Sequence, residues 1–477
     1  MSKCPHCGAE VQYKPELKKV HCDYCGSNFK VSELLNDYKK AKSIQKDGNT
    51  YVDDGKPMLP GVAYSCTQCG ATLLSFDETA VTFCSYCGSQ NIIEEKMFKQ
   101  NCPDYIIPFV KTKEECIHNY KKHLSHFLFS PAYMKNADIV QKFRGIYMPY
   151  GIYKLTFQGD CINTGEKYNH RSGDYVYYDI YTLHADVDAS YDGISFDLMS
   201  KFYDEYSQSI PFNHKGLEPF NVNYLPGFYA DARDVEIGTY SNDAIQIGSN
   251  DSTRFLRKKW FFRRYNCYNP KVSFHVGEKK YGMFPVYFLA IKDKDDKHLH
   301  YAIINGQTGK VVADMPLSFP KYIIFSLLLA IPIFLFLNQF PIILPHVICF
   351  ITMFASFIGW IICGVQLDAC NEREGRYNDK GYNTIFKQFD KNGKKIKRKK
   401  IKKYKMKIQY WLKYLLAILF PLGIVILDPV SDLYYYISSI IGLVLVLTSF
   451  YDLVIIHNQL VSRPIPQLEK RGGDEGE

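Results

Sequence analysis

Four apolar segments dominate the last third of the chain, after Pro320. They comprise residues 322–340, 346–367, 411–427 and 433–456, and each approaches the ~20 residues that an α-helix needs to cross a bilayer. The turns within the first pair and within the second pair are short, which predicts two helical hairpins, at residues 321–367 and 411–456. We therefore expect a four-helix, all-α transmembrane region, although the core helices of a soluble protein are a less favoured alternative.

Residues 103–316 have a mixed pattern that predicts a soluble α+β domain. Residues 111–127 and 234–265 have the spacing of helices, while residues 145–159 and 175–188 are rich in the aromatic and β-branched residues that strands prefer. Two further strands are expected within residues 280–293 and 298–316, where Asn305 and Gly306 mark a turn.

One stretch of this domain, residues 186–197, resembles a calcium-binding loop. However, Tyr191 stands at the position where such a loop requires glycine. The alternation of His184, Asp186, Asp188 and Ser190 is better explained as the polar face of a strand.

The N-terminal part of the chain contains an internal repeat. Residues 4–31 realign with residues 66–93, sixty-two positions later, and all four cysteines coincide. This duplication predicts two small zinc ribbons, ribbon 1 at residues 1–31 and ribbon 2 at residues 62–96. Residues 32–61 between them have a short helical pattern followed by turn-forming and charged residues, which indicates a helix and a flexible linker.

Each repeat carries two Cys-x2-Cys pairs separated by fourteen residues, the spacing of a structural zinc site. Glycine follows the second cysteine of every pair, where a left-handed backbone is often needed. Four thiolates complete a tetrahedron, so both metals are expected to be structural Zn, with iron or redox thiols as alternatives. The predicted ligands are Cys4, Cys7, Cys22 and Cys25 in ribbon 1, and Cys66, Cys69, Cys84 and Cys87 in ribbon 2.

The net charge of +9 is concentrated in one loop. Residues 368–410 contain fifteen basic and five acidic residues, whereas the turns within the two hairpins contain no Lys or Arg. The positive-inside rule therefore predicts a cytosolic loop, a cytosolic tail at residues 457–477 and a multi-pass protein of the cell membrane with both termini cytoplasmic. The first residues have no signal-peptide pattern, so the cysteines are expected in a reducing compartment, where metal binding is commoner than disulfide formation.

A second basic cluster, which also contains aromatic residues, occupies residues 254–265. Three interpretations are open: the solvated face of a helix, contact with anionic lipid headgroups, and binding of RNA. In the lipid interpretation, aromatic side chains enter the membrane interface and basic ones meet phosphates. The residues concerned are Arg257, Lys258, Trp260, Phe261, Phe262 and Arg263.

The sequence offers no positive support for an enzyme. It contains no phosphate-binding G-x-x-x-x-G-K-[ST] loop, no G-x-S-x-G elbow and no H-E-x-x-H motif. We therefore expect no catalytic residues.

Several segments together resemble a bacterial family of membrane proteins with a TFIIB-type zinc ribbon, some of which are labelled primosomal replication-restart helicase. The resemblance covers most of the chain through Pro316, and it implies an integral membrane protein, with some members associated with membrane-stress or phage-shock-type systems. Helicase activity is not expected, because the nucleotide-binding motifs are missing. The segments are CPHCGAE with CDYCGS, CTQCGA with CSYCGS, PDYIIPFVKTKEE, LEPFNVNYLPGFYADARDV, YGMFPVYFLAI and YAIINGQTGKVVADMP.

These features favour a membrane-anchored adaptor, whose two ribbons recruit a cytosolic protein to the inner leaflet and whose basic segments contact anionic lipid. The acidic residues of ribbon 2 disfavour a phosphate backbone, and protein contact suits both ribbons better. The alternative is a membrane-tethered nucleic-acid-binding protein that uses ribbon 1 and residues 254–265. A transporter or channel is a third class, which the near absence of ionisable residues in the apolar segments disfavours.

Overall fold

The structure is a computed structural model that describes residues 3–34, 62–75, 84–95, 101–267, 272–292, 298–337, 339, 344–374, 376, 378–386 and 408–464. Several predicted features fall outside these residues: most of the linker within 32–61, the lysine-rich part of the basic loop and most of the tail.

Ribbon 1 is a small antiparallel sheet of three strands. These are β1 (Gln12–Lys14), β2 (Lys19–His21) and β3 (Asn28–Phe29), with β2 in the middle. Each strand buries one side chain, Tyr13, Val20 or Phe29, between neighbours that are half-buried or exposed. The alternation of buried and exposed positions follows from the two-residue period of a strand.

Thirteen strands of the described residues form one larger sheet. In chain order the strands are β4 (Val62–Cys66), β5 (Thr72–Ser75), β6 (Ile92–Glu95), β7 (Tyr105–Ile106), β8 (Arg144–Ser172), β9 (Tyr175–Asp197), β10 (Glu218–Pro219), β11 (Tyr229–Asp231), β12 (Asn266–Cys267), β13 (His275–Lys292), β14 (His298–Asn305), β15 (Val311–Ala313) and β16 (Arg463–Pro464). The helices interspersed with them are α1 (Lys113–Ser125), α2 (Ala137–Val140), α3 (Asp204–Ser209) and α4 (Ser241–Phe262).

The antiparallel pair β8–β13 forms the centre of this sheet, from Arg144 opposite Phe288 to Thr156 opposite His275. Residues 281–289 of β13 are all buried, as the continuous apolar run YGMFPVYFL requires of a strand covered on both faces. Helices α1 and α4 cover one face, with Tyr120 and Trp260 in its apolar cluster. Helix α3 and ribbon 2 cover the other.

Ribbon 2, predicted at residues 62–96, contributes strands β4, β5 and β6 to this sheet. Strand β5 pairs antiparallel with β11, and β11 pairs parallel with β8. The four cysteines of ribbon 2 belong to the same apolar cluster as Phe284 and Phe288 of β13. The sequence repeat therefore gives two ribbons with different surroundings.

The predicted secondary structure of the middle segment is largely confirmed, with different lengths. The helix predicted at residues 111–127 is α1, which Thr112 caps by accepting the Glu115 backbone N–H at 3.0 Å. The helix predicted at residues 234–265 is α4. The polar alternation beginning at His184 lies on strand β9, which excludes the calcium-binding loop.

Four apolar helices follow the sheet domain within the described residues. They are α5 (Phe319–Leu337), α6 (Pro345–Glu374), α8 (Ile408–Leu427) and α9 (Leu433–Val461), and the short α7 (Lys380–Phe386) follows α6. Helices α6 and α9 have the length and apolar composition of membrane spans, whereas the apolar stretches of α5 and α8 are shorter. Only 33% and 39% of the most apolar parts of α6 and α9 are buried.

The same end of the helical region contacts the sheet domain at several points. Arg373, at the end of α6, donates to Asp314 at 3.0 Å. After α9 the chain continues into β16, which pairs with β14. Asn458, near the end of α9, bonds to the backbone of Leu317, just before α5. The beginning of α5 and the ends of α6 and α9 therefore lie on the sheet-domain side.

Candidate metal centres

Two clusters of four cysteines are positioned to hold a metal ion, and they are the two sets predicted from the sequence. In ribbon 1 the Sγ atoms of Cys4 and Cys25 lie 3.5 Å apart, as do those of Cys7 and Cys22. In ribbon 2 the corresponding distances are 3.6 Å and 3.7 Å. Within each cluster all four sulfur atoms lie within 4.8 Å of one another.

These distances fit a tetrahedral metal site. With Zn–S bonds of about 2.3 Å, the edge of the tetrahedron is about 3.8 Å, close to the observed separations. A disulfide would require about 2.05 Å, so the sulfur atoms are not paired as disulfides. Four sulfur ligands leave no open position for a substrate or an activated water, which limits the chemistry of either metal to holding structure.

The local backbone explains why each Cys-x2-Cys pair presents two thiolates together. The glycine after each pair has a positive φ between 70° and 76°, which a residue with a Cβ adopts only with strain. Its N–H returns to the carbonyl of the first cysteine, for example Gly8 to Cys4 at 2.8 Å and Gly88 to Cys84 at 2.9 Å. The turn is thus closed by the backbone, and both sulfur atoms belong to the same four-sulfur cluster.

The histidines beside the ligands bond to other side chains. Nδ1 of His6 lies 2.9 Å from the Ser27 hydroxyl oxygen, and Nδ1 of His21 lies 2.8 Å from the amide oxygen of Asn28. Both rings support the ribbon around the four-cysteine set.

Ribbon 2 is fixed to the sheet domain through Tyr86, which is 2% exposed. The Tyr86 hydroxyl donates to Asp231, its ring packs on Phe288 with 5.4 Å between centroids, and its carbonyl accepts the Tyr301 hydroxyl at 3.1 Å. Burial raises the pKa of Tyr86 well above its ordinary value and also raises the pKa of Asp231. The phenol therefore remains protonated and serves as a donor.

Ribbon 1 presents the equivalent surface to solvent. The repeat places Tyr24 in register with Tyr86, but Tyr24 is 85% exposed. Residues 5–8 and 23–26, which we call the knuckle face of ribbon 1, are all exposed, and Cys7 and Cys25 are among them. In ribbon 2 the corresponding Cys69 and Cys87 are buried.

Ribbon 1 contacts the sheet domain through its opposite side. The Tyr13 N–H donates to the carbonyl of Pro226 at 3.3 Å, its hydroxyl donates to the carbonyl of Phe109 at 3.3 Å, and its ring meets Tyr224 edge-on. Asn221 also donates to the carbonyl of Val31 at 3.3 Å. These contacts orient the ribbon so that its knuckle face points outward.

The structure separates the residues that the sequence grouped as a lipid-binding cluster on α4. Trp260 is buried in the core with Leu256, because both occupy the inward face of the helix, so Trp260 does not enter a membrane interface while this packing holds. Phe261 is exposed and lines a cavity of about 480 Å³ with Arg257 and Lys258. Arg263 lines a different cavity, and the side chain of Phe262 lies outside the described residues.

Two arginines counted within the basic loop are instead structural anchors, which the charge count did not indicate. Arg376 donates to the carbonyls of Ser200 and Phe202 at 2.8 Å and 3.2 Å and pairs with Asp379. Its guanidinium lies between the rings of Tyr203 and Tyr382, about 4 Å from each centroid. One sequence signal distinguishes Arg373 and Arg376 from the other basic residues of the loop: they lie well before the lysine run that begins at Lys394.

Asp314 links the sheet domain to the helix ends. Its carboxylate accepts the Tyr206 hydroxyl at 2.7 Å and the Tyr301 N–H at 2.8 Å, in addition to Arg373. Arg463, after α9, reaches the Tyr206 hydroxyl at 3.2 Å. The ends of α6 and α9 are therefore joined by one buried polar network.

Comparison with known proteins finds one distant relative that aligns with much of the chain. The chain is 25% identical over 327 residues to uncharacterized protein YdjG of Bacillus subtilis (strain 168), an alignment that covers 66% of this chain and 90% of that protein. No protein-family model and no solved structure match the chain.

Proposed function

We propose that this chain is a membrane-anchored, zinc-binding adaptor in which ribbon 1 recruits a cytosolic protein to the inner leaflet. The observation that carries the proposal is the contrast between Tyr24 and Tyr86, which occupy the same position of the repeat but are 85% and 2% exposed. Ribbon 2 has a binding surface for its knuckles within the chain. Ribbon 1 keeps the same kind of surface available for another molecule.

The contacts of Tyr86 also indicate the chemistry of the partner. Within the chain, a knuckle tyrosine binds an aromatic pocket and donates its hydroxyl to a buried carboxylate. A partner for Tyr24 therefore offers an apolar or aromatic pocket with an acceptor at its base. A buried tyrosine with a satisfied hydroxyl is a typical anchor of a protein–protein interface.

The charge of ribbon 1 favours protein over nucleic acid. Its described residues contain five lysines and four acidic residues, and a zinc ion with four thiolates adds a charge of about −2. Lys14 is also paired at 3.4 Å with Asp23, which belongs to the knuckle face. Such a surface lacks the excess positive charge that a phosphate backbone requires.

The anchor in this proposal consists of four membrane spans, α5, α6, α8 and α9, arranged as two hairpins. Many of their large apolar side chains are exposed, and a soluble protein rarely exposes an apolar surface of this extent. The beginning of α5 and the ends of α6 and α9 lie beside the sheet domain. A topology of two hairpins puts these same helix ends on one side of the membrane. The basic loop assigns that side to the cytosol, with both termini there.

Zinc in both clusters is part of the proposal, and its role is structural. Ribbon 1 contributes only a few apolar side chains to the core that it shares with the sheet domain, and these are too few to fold the ribbon without a metal. The resemblance to zinc-ribbon membrane proteins is the basis for proposing a role in a membrane-stress response. Anionic lipid contact through Arg257, Lys258 and Phe261 is a secondary part of the proposal.

The test is capture of cytosolic proteins by the full chain in detergent, comparing Tyr24→Ala with Leu17→Ala. Leu17 is the matched control, because it is an exposed apolar residue of ribbon 1 outside the knuckle face. We expect a protein that binds the wild type and the Leu17 variant but is lost with Tyr24→Ala, and whose purified form binds at least about 10-fold more weakly to that variant. Identical captured proteins for all three chains, or capture of nucleic acid alone, would contradict the proposal.

A further inference from the structure

The outer part of the β8–β9 hairpin extends beyond the pairing of β8 with β13, and helix α4 covers one of its faces. Beyond Thr156, β8 pairs with β9 and, at Gly165 and Glu166, with the short β12, in the part of the chain that is described. One face of this ribbon packs inward: Cys161 and Leu183 are buried, and the Tyr181 ring meets Tyr265 with 5.4 Å between centroids. We call the opposite side the outer face.

The outer face ends in an apolar patch. Tyr168 lies opposite Tyr178 and Ile162 lies opposite His184. The alternation along β9 places Val176 and Ile180 on the same side as Tyr178, where Arg171 lies opposite Val176 and Glu166 lies opposite Ile180. We call these five residues the tip patch: Ile162, Tyr168, Val176, Tyr178 and Ile180 are 61%, 57%, 43%, 47% and 72% exposed. Taking about 200 Å² for a large side chain, they expose on the order of 500 Å², as much as the largest patch of a typical soluble monomer.

We propose that the tip patch is the contact between two copies of this chain, which pack outer face to outer face about a two-fold axis. A two-fold contact uses the same patch on both copies, so the buried area is on the order of 1,000 Å². This value reaches the lower limit for a specific interface. The Tyr, Ile and Val side chains have the composition of a sheet-on-sheet core.

Charge on the same face selects the orientation of the two hairpins. Nearer to the centre of the sheet, Asp160 lies directly opposite Asp186, and the exposed Asp188 follows on the same side. From Tyr178 to Asp186 the strand advances about 27 Å. If the hairpins point in opposite directions and overlap only at their tips, these acidic rows stay far apart. A parallel arrangement would place them face to face, which like charges disfavour.

The composition of the tip favours protein over lipid as the occupant. Asp174 lies in the turn, and Asp179, which accepts from Asn169 at 2.9 Å, lies between Tyr178 and Ile180 along the strand. Insertion of the tip into a bilayer would carry both carboxylates into the apolar layer at a large cost. Packing of the outer faces leaves them at the rim, in water.

The test is the mass of the full chain in detergent, measured by light scattering at protein concentrations of about 1–50 µM, where a contact of this size is populated. We expect twice 55.2 kDa for the wild type, and a monomer for the double variant Tyr178→Glu, Ile180→Lys. The dissociation constant is expected to rise at least about 100-fold, because charges enter the apolar contact from both copies. Tyr175→Lys is the matched control, since Tyr175 is an equally exposed tip residue on the inner-face side of the same strand.

A monomeric wild type would overturn the proposal. Equal dissociation of the double variant and of the Tyr175→Lys control would also overturn it. A metal content equal to that of the wild type and an unchanged near-ultraviolet circular dichroism spectrum show that the variants are folded. Binding of the wild type, but not of the double variant, to phosphatidylglycerol vesicles without a change in mass would assign the tip patch to the membrane and overturn the dimer. The dimer does not depend on the adaptor function, but it would present two copies of ribbon 1 to one partner.

Discussion

The repeat supplies a matched pair of substitutions, Cys22→Ser and Cys84→Ser. The two cysteines are equivalent in the repeat, both are fully buried, and each belongs to one four-sulfur cluster. Each variant is expected to lose one of two bound metals. The consequences differ because ribbon 2 contributes three strands to the large sheet, whereas ribbon 1 has a sheet of its own and joins the domain through packed side chains and isolated hydrogen bonds.

The expected magnitude follows from the zinc contribution. A structural zinc site contributes on the order of 10 kcal/mol, comparable with the net stability of a whole domain. If half of this is lost from the layer that contains Tyr86 and Phe288, Tm of the sheet domain falls by about 10–20 °C, at about 2–4 °C per kcal/mol. For Cys22→Ser we expect local unfolding of ribbon 1 and a shift of Tm below about 4 °C.

Two measurements check this prediction on the full chain in detergent. Metal analysis gives the zinc content per chain, and the near-ultraviolet circular dichroism of the buried tyrosines gives the unfolding of the sheet domain. Hydrogen exchange adds the location, with faster exchange in β11 and β13 expected for Cys84→Ser alone. Equal shifts of Tm for the two variants, or a larger shift for Cys22→Ser, would refute the reasoning. Either result would mean that the stability of the sheet domain depends on ribbon 1 as much as on ribbon 2.

Two further predictions concern the contact between the sheet domain and the segment after α6. Arg376→Ala leaves the buried Asp379 without its cation and should lower the free energy of unfolding by about 3–5 kcal/mol. Lys380→Ala, which removes a more exposed pair with Asp243, should lower it by less than about 1 kcal/mol. Hydrogen exchange of residues 197–209 measures both effects, and equal effects would contradict the anchoring role of Arg376. Burial, followed by the neighbouring Asp379 carboxylate, raises the pKa of Asp204 to about 6 from an ordinary value of 3.8. A raised pKa means that the folded state holds the proton more tightly, so this contribution to stability is complete below pH 3.8 and is lost as pH rises through 6. Between about pH 4 and pH 6, Asp204→Asn should therefore flatten the decline of Tm seen in the wild type, and an unchanged slope would contradict this assignment.

Local features of this protein were predictable because local chemistry determines them. The four cysteines of each cluster, the glycines with positive φ and helix α1 follow from spacing and capping within about thirty residues. The apolar helices follow from composition alone. Each of these predictions needs no knowledge of distant partners.

The features that were missed depend on pairing between distant segments. Strand β8 continues to Ser172, well beyond the predicted end at residue 159, because it is held by β9 and not by its own polar sequence. The integration of ribbon 2 depends on Asp231, 145 residues from Tyr86. The burial of Trp260 likewise depends on the sheet beneath α4, and the anchoring of Arg376 on carbonyls of residues 200 and 202.

The most direct test of the adaptor function places a photo-crosslinking amino acid, p-benzoylphenylalanine, at position 5 of the full chain in its own membrane. Position 5 is exposed on the knuckle face and leaves Tyr24 intact, and the same substitution at position 17, also exposed in ribbon 1, is the control. The account predicts a covalent adduct with a cytosolic protein from position 5 and none from position 17. Adducts with nucleic acid or lipid alone, or the same protein adduct from both positions, would contradict it.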